Sequence, residues 1–566
     1  MDEKEKTIKE LTFQVEKLKN QIKEIKTKKK YGLVWDEEKE RETVVEECQR
    51  KLPTLKEIEK NKISKDKTLP INIMIEGDNY HALSVLNYTH KNKIDVIYID
   101  PPYNTGANDW KYNNCFVDIN DAYRHSKWLN MMSKRLKLAK NLLKSNGVLI
   151  CTIDENEFYR LGCLLEEIFD GYEIHCITII HNPRGVQGNN FSYTHEYAYF
   201  LFRNGLKVIG PRKLKEEEIT ESNLRNWGGE SLRSDARNCF YPILVKDMEI
   251  IGFGNVPKDD FHPKKQAEEK GDTYYVWPID VKGVEHKWRY ARQSVEAIKD
   301  LLKVKQNKDR IEIEIKKDYG VIKTVWQDSR YDAGIYGTQL IHALVPSAHF
   351  DFPKSVYNVF DCISPIISTR KDATVLDFFA GSGTTGHAVL MLNKNDGGKR
   401  KFILCTNNEN NIAEEVCYPR VKKVIEGHKD YPDITNITAN LKYFKTDFVD
   451  VDGLYHVSDE QRINLTYRAG EMIALKECTF SEVEKNEWWQ IFTNGPKHTA
   501  IYFKEDKSKL NKLVKQLSTI KSEVVLYIFS WGKNEYANEF PEYKNIRVED
   551  IPEPIIKVYE EINKLA

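Results

Sequence analysis

At 566 residues the chain has room for about three to five domains of the usual 100 to 200 residues, each with a core of its own. A 40% hydrophobic and 30% charged composition excludes a disordered chain, and no apolar run approaches the ~18 residues of a membrane-spanning helix. Lys+Arg 86 balance Asp+Glu 86, which excludes a uniform basic coat while permitting a local basic cleft.

The opening MDEKEKTIKE is too charged for a secretory signal, so a cytoplasmic location is expected. Ile8, Leu11, Val15, Leu18, Ile22 and Ile25 are spaced by alternating threes and fours, the seam of a helix that pairs with another helix. This predicts a short coiled coil in residues 1–30 and, with it, a homodimer; the plainer alternative is an amphipathic helix packed on its own domain. Residues 31–68 read as a helical linker. From Leu69 short apolar strands, INIMI and IDVIYI, alternate with helical segments such as Trp128 to Leu143, the pattern of a parallel α/β sheet. GVLICTI and EYAYFLF continue it to residue 203, whereas residues 204–345 lose the alternation and read as an insert. The β/α pattern resumes over 346–444 with ATVLDFF and FILCT, and residues 445–566 read as a small C-terminal domain. The 10 cysteines are scattered without a CxxC or a Cys/His cluster, so neither a metal nor a disulfide framework is expected.

Two constellations carry chemistry. Asp100-Pro101-Pro102-Tyr103 directly follows the apolar run Ile94 to Ile99, at the carboxyl end of a strand, where α/β sheets build their sites. Two prolines restrict the backbone of the turn. An Asp carboxylate and the Pro101 carbonyl can each accept an N–H of an exocyclic amine, and the Tyr103 ring can stack on a base. Alone, the motif is equally a Pro-Pro turn ending a strand with a surface acid. The second constellation, Asp377-Phe378-Phe379-Ala380-Gly381-Ser382-Gly383-Thr384-Thr385-Gly386, is a strand running through small residues into a helix, where backbone can approach a ligand. Its literal GxGxxG leaves a dinucleotide enzyme open. What separates the readings is Asp377, suited to an ammonium group, together with the DPPY turn, for which a dehydrogenase has no use. No GxxxxGK[ST] occurs, so an ATP-driven motor is not encoded.

The paired motifs resemble those of S-adenosylmethionine-dependent amino methyltransferases acting on DNA. Because DPPY precedes the glycine loop, the order resembles the permuted beta group. Ile75-Glu76-Gly77-Asp78-Asn79, RKFILCTNNENN (Arg400 to Asn411) and THEYAYFLFR (Thr194 to Arg203) look like the modification (Mod) subunit of type III restriction-modification systems. The resemblance implies an α/β, Rossmann-like methyltransferase sheet with a recognition insert, an N-terminal coiled-coil helix and a small C-terminal domain. It implies S-adenosyl-L-methionine as cofactor, double-stranded DNA as substrate and a restriction (helicase-nuclease) subunit as partner. Residue by residue, Asp377, Phe379, Ala380, Gly381 and Gly383 resemble the loop around the methionine moiety, Glu409 the carboxylate on the ribose hydroxyls, and Asp78 the acid near the adenine. Lys354, in Phe352-Pro353-Lys354-Ser355, resembles part of the segment that closes over the cofactor. Asp100, Pro101, Pro102 and Tyr103 resemble the catalytic turn.

The resemblance makes the insert the target-recognition region, and its Arg225, Trp227, Arg233, Arg237, Tyr241, Trp288, Arg289 and Arg292 suit base edges and phosphates. Arg225, Arg233, Arg237 and Arg289 are the candidate DNA contacts; a solvated face over an aromatic core would account for the same side chains. Ile311 to Lys316 contains an ExK triplet that strict alternation makes one face of a strand. The expected activity is transfer of a methyl group to N6 of adenine in a flipped-out base. The rivals are N4-cytosine methylation, since both amines suit the turn, and a non-catalytic specificity subunit.

Overall fold

The computed structural model describes residues 35, 42–113, 115–185, 190–213, 216, 219–307, 310–317, 319–350, 352–531, 536 and 539–565. The coiled-coil seam expected in residues 1–30 lies outside them. The chain divides into two compact units, one formed by residues 1–209 and 324–566, the other by 210–323.

The larger unit is built on ten strands in one sheet: β1 (Lys51–Glu57), β2 (Ile71–Glu76), β3 (Ile94–Ile99), β4 (Leu143–Ile153), β5 (Tyr172–Ile180), β6 (His195–Arg203), β7 (Val325–Gln327), β8 (Thr374–Asp377), β9 (Lys401–Thr406) and β10 (Asn440–Asp450). Their spatial order is β1-β10-β2-β9-β8-β3-β4-β6-β5-β7. From β10 to β4 all neighbours are parallel, whereas β1 on one flank, and β6 between β4 and β5 on the other, pair antiparallel. β3 and β8 are buried at every position, as strands covered on both faces must be. Successive residues serve opposite cores: Ile97 and Ile99 join one apolar cluster, Val96 and Tyr98 the other. Each such aliphatic side chain contributes roughly 1.5–3 kcal/mol by leaving water.

The first cluster is closed by α1 (Asn79–Thr89), α2 (Arg124–Leu142) and α3 (Phe158–Ile168), the second by α4 (Val356–Ile367), α5 (Thr384–Asp396) and α6 (Tyr418–Glu426). Among the described residues no helix is long and apolar enough to cross a membrane.

Three expectations about the division of the chain meet a different arrangement. The linker expected over 31–68 contains a strand, β1, paired with β10. The insert expected over 204–345 is compact only from 210 to 323; β7 returns to the main sheet beside β5, and Leu340, Ile341 and Leu344 pack into its core. The C-terminal domain expected from 445 begins inside β10, and its five-stranded sheet shares the first apolar cluster through Phe492, Ile501, Val525 and Tyr527. A shared core makes it part of the larger unit.

The smaller unit holds a three-stranded antiparallel sheet (Thr220–Asn223, Arg310–Lys317, Leu302–Asn307) and a four-stranded one containing Ile243–Lys246 and Thr273–Val276. Leu224, Tyr241, Ile243, Trp288, Ile313 and Ile315 form its core. In the Ile311 to Lys316 segment Ile313 and Ile315 are buried while Glu312 and Glu314 stay half-buried on the other face.

Candidate active site

Consecutive strands β2, β9, β8 and β3 run parallel. At or just past the carboxyl ends of the four stand, in that order, Asp78, Glu409, Asp377 and Asp100. Val375 and Leu376 of β8 register with Val96 and Ile97 of β3, so the glycine loop and the DPPY turn leave neighbouring strands.

The turn is tied from three sides. The Thr152 hydroxyl, on β4, donates to Asp100 Oδ1 (2.7 Å). Trp128 Nε1, on α2, donates to the Pro102 carbonyl (2.7 Å). Asn104, next in the chain with φ +58°, accepts from Trp110 Nε1 (3.0 Å) and donates to the buried Glu157 (2.5 Å). Tyr103 donates its hydroxyl to Glu196 Oε2 (3.0 Å). The Lys354 ammonium bonds both Glu196 and the Tyr103 oxygen, lies 3.3 Å from Asp100 Oδ1, and sits 4.5 Å from the Tyr103 ring centroid. Asn358, on α4, donates to Glu196 Oε1 (2.7 Å). The site therefore holds two carboxylates bridged by one ammonium. Burial raises the Asp100 carboxyl despite the pull of Lys354. For Glu196 burial acts in the same direction, but Lys354 and His181 outweigh it and hold the group below the usual carboxylate range.

In the glycine loop Asp377 is 3% exposed and accepts from the Phe379 amide (2.9 Å) and the Thr385 hydroxyl (2.5 Å). Burial still pushes it up to about 7. Gly381 and Gly383 have φ of +47° and +78°, the left-handed region that glycine adopts without strain; a Cβ at Gly381 would come 3.2 Å from Phe350 Cζ. Behind the loop the fully buried Arg420 donates to the Ser382 (3.0 Å) and Thr384 (2.7 Å) hydroxyls. Phe379 is half-buried and Ala380 buried.

Asp78 and Glu409 are engaged with protein groups. Asp78 caps α1, accepting from the Tyr80 amide (2.7 Å), and lies 3.3 Å from Arg135. Glu409 pairs with Lys111. Lys354, expected in the segment that closes over the cofactor, lies against Asp100, Tyr103 and Glu196.

In the smaller unit Arg225 is 4% exposed, with its guanidinium 4.1 Å from the ring centroid of the exposed Trp227. Arg233 spends its guanidinium internally, on the Phe261 carbonyl (2.7 Å), the Lys258 carbonyl (2.9 Å) and Glu285 (2.9 Å). Arg237 is exposed beside Asp259 (2.9 Å), and the exposed Arg289 donates to Ser222 (2.9 Å). Tyr241 and Trp288, expected among the recognition residues, are core, and Arg292 is tied to the Gly254 carbonyl (2.7 Å). Aromatic and guanidinium groups in a sequence do not distinguish a recognition face from its supporting core.

Trp128, Thr152, Glu196, Asn358 and Arg420 were not read as site residues. Glu196 had a signal, the THEYAYFLFR block that carried the resemblance. The others are ordinary helix or strand residues until the fold delivers them.

Fold and site together define a DNA methylase. The family described by that name, N6_N4_Mtase, matches residues 94–417, more than half of the chain, and the chain belongs to it. The type III restriction-modification enzyme EcoPI Mod subunit of Escherichia phage P1 is 30% identical over 60% of this chain and 58% of its own length. The StyLTI Mod subunit of Salmonella typhimurium is 28% identical over 68% of this chain and 60% of its own. The type II methyltransferase M.KpnI of Klebsiella pneumoniae is 29% identical over 66% of this chain and 88% of its own. The chain thus spans somewhat more than half the length of the two Mod relatives.

Proposed function

We propose that the chain transfers a methyl group from S-adenosyl-L-methionine to N6 of adenine in duplex DNA, as the modification subunit of a type III restriction-modification system. The observation that carries this is the pairing of Asp100 and Asp377 at the carboxyl ends of adjacent parallel strands. The glycine loop fits the cofactor: its backbone is bare where a Cβ would crowd Phe350 at 3.2 Å, and Asp377 is a buried carboxyl matched to an ammonium. Asp377, Phe379, Ala380, Gly381 and Gly383 would hold the methionine moiety, Glu409 the ribose hydroxyls and Asp78 the adenine. When bound, the cofactor supplies an activated sulfonium methyl. The chain supplies positioning.

Adenine N6 is a poor nucleophile because its lone pair is delocalised into the ring. Acceptance of its N–H groups by Asp100 and the Pro101 carbonyl favours the pyramidal amine. A base inside a duplex cannot reach a turn at a strand end, so flipping is part of the reading, with Tyr103 replacing lost stacking. The compact unit 210–323 serves as the recognition domain through the exposed Arg237 and Arg289. A homodimer through residues 1–30, a restriction subunit as partner and a cytoplasmic location complete the reading. Expression in a host without modification, followed by sequencing of its DNA with a method sensitive to base modification, is expected to show N6-methyladenine in one short motif. N4-methylcytosine would move the substrate to the other amine, and unmodified DNA would leave a specificity subunit. Deletion of residues 1–30 is expected to lower the mass measured by light scattering; an unchanged mass from a dimeric parent would place that helix elsewhere.

A further inference from the structure

We infer that Glu196 and Lys354 are positioning residues for the reaction proposed above, Glu196 drawing the Lys354 ammonium away from Asp100 so that its carboxylate meets the target amine inside a cluster of net negative charge. The inference rests on that reading of the turn and goes beyond it, because it assigns work to groups that touch neither methyl donor nor base.

The geometry is specific. Glu196 comes from β6 and is 2% exposed at its side chain. One oxygen is held by Asn358 of α4, the other by Tyr103 and Lys354. So fixed, it binds the ammonium more closely than does Asp100, 3.3 Å away. Thr152 and Lys354 both address Asp100 Oδ1, so an incoming amine meets Oδ2. Two carboxylates this close, Glu196 buried and Asp100 half-buried, would tend to share a proton if left alone, and one ammonium between them favours the ionised form of both. If that ammonium sat on Asp100 alone, it would neutralise the acceptor. Two carboxylates against one ammonium leave a single negative charge. In the reaction the amine lone pair would form the N–C bond as the C–S electron pair returns to sulfur, and the nitrogen, positive until it sheds one proton to solvent, is the group that charge stabilises.

The other ionisable groups facing Asp100 or Lys354 lie on or beside β3, β4, β5, β8 and α4. His181, past β5, is pushed down by burial and is common to every protein compared below. Burial likewise keeps Tyr98, Tyr103, Cys151 and Cys362 in their neutral forms. Asp154, past β4, is raised to about 6, and Asp377, on β8, to about 7. These last two are common to every protein compared below, so differences between profiles report the cluster.

The test is single-turnover methylation of a duplex across pH, at saturating cofactor, for the wild-type chain, Glu196→Gln and Lys354→Met. Calorimetric affinity for S-adenosylmethionine checks that the glycine loop is intact. Both variants are expected to lose at least about tenfold in rate with cofactor affinity retained. Glu196→Gln removes a charge that raises the Asp100 carboxyl and hands Lys354 to it, so its acid limb moves to lower pH. Lys354→Met removes the charge that lowers it, so its acid limb moves to higher pH. Opposite shifts are a result that loose packing does not produce. Limbs that stay in place or move together in an active wild-type background would overturn the inference while leaving the methyltransferase reading. A wild-type chain that transfers no methyl group to any duplex would remove both. If Glu196→Gln does not fold, the direction of the Lys354→Met limb decides alone.

Discussion

Asp377 shows how a binding residue can weaken the fold that carries it. Its carboxyl is pushed up to about 7 by burial, against hydrogen bonds from Thr385 and the Phe379 amide. With a folded value above the unfolded one, the native state binds the extra proton between about pH 4 and pH 7. The contribution to stability is therefore complete below the ordinary carboxylate value and is lost as pH rises through about 7. Asp377→Asn is expected to melt higher than wild type at pH 8, by about 1 °C for each kcal/mol recovered in a unit of this size, with the difference shrinking toward acid. Cofactor binding carries the opposite sign, since the ammonium needs the ionised form. Calorimetry should show wild-type affinity for S-adenosylmethionine weakening as pH falls below about 7 and the variant binding weakly throughout. A wild-type affinity flat across that range would remove Asp377 from the ammonium site. Tyr103 presents a different division of labour, because its hydroxyl is bound by Glu196 while one ring face meets Lys354. Tyr103→Phe loses the hydroxyl tie and keeps the ring; Tyr103→Ala loses about 1–3 kcal/mol of base stacking as well. A fluorescent base analogue reporting flipping should therefore separate Phe from Ala. Equal losses would assign the work to the hydroxyl.

At the scale of elements, the turn after β3 is held by α2 rather than by its own strand. α2 buries Trp128, Leu129, Met132 and Leu136 in the first apolar cluster, and that packing carries the Trp128 Nε1 donor to the Pro102 carbonyl. Trp128→Phe keeps most of the apolar contact and removes the donor, leaving the carbonyl of the half-buried Pro102 short of one bond. The expected cost is about 1 kcal/mol of stability. A fall in methyl-transfer rate at unchanged cofactor affinity should accompany it, because only the turn loosens. A variant that melts lower yet transfers at the wild-type rate would show that the turn holds its shape through its prolines alone. The loop before α5 depends on another element in the same way: Arg420 of α6 reaches the Ser382 and Thr384 hydroxyls from behind. A guanidinium has donors only, so it accepts nothing from those hydroxyls and fixes them as acceptors toward itself.

For the whole molecule, residues 210–323 form a compact unit with a core of their own. A fragment of those residues is expected to unfold in one cooperative transition by circular dichroism. A fragment without such a transition would show that the unit borrows its stability from the rest of the chain.

The sequence by itself determined the local part of this protein. IDVIYI and TVLD are short, mostly apolar and buried throughout because parallel strands are covered on both faces, and DPPY and the glycine loop stand at their ends because turns and left-handed backbone demand those residue types. Both motifs, and hence the resemblance, were legible without coordinates. The strand order was not: β8 beside β3 is a pairing between residues remote in sequence, and it alone brings Asp377 next to Asp100. The placement of Lys354 was beyond reach for the same reason, since a lysine's partners depend on which buried carboxylates the fold leaves without another cation. The limits of the insert were hidden because β7 is only three residues long, too short to show a period, and takes its place through its pairing with β5. Local chemistry follows from residue types and spacing, whereas partners across the sheet are chosen by how every apolar face is buried at once.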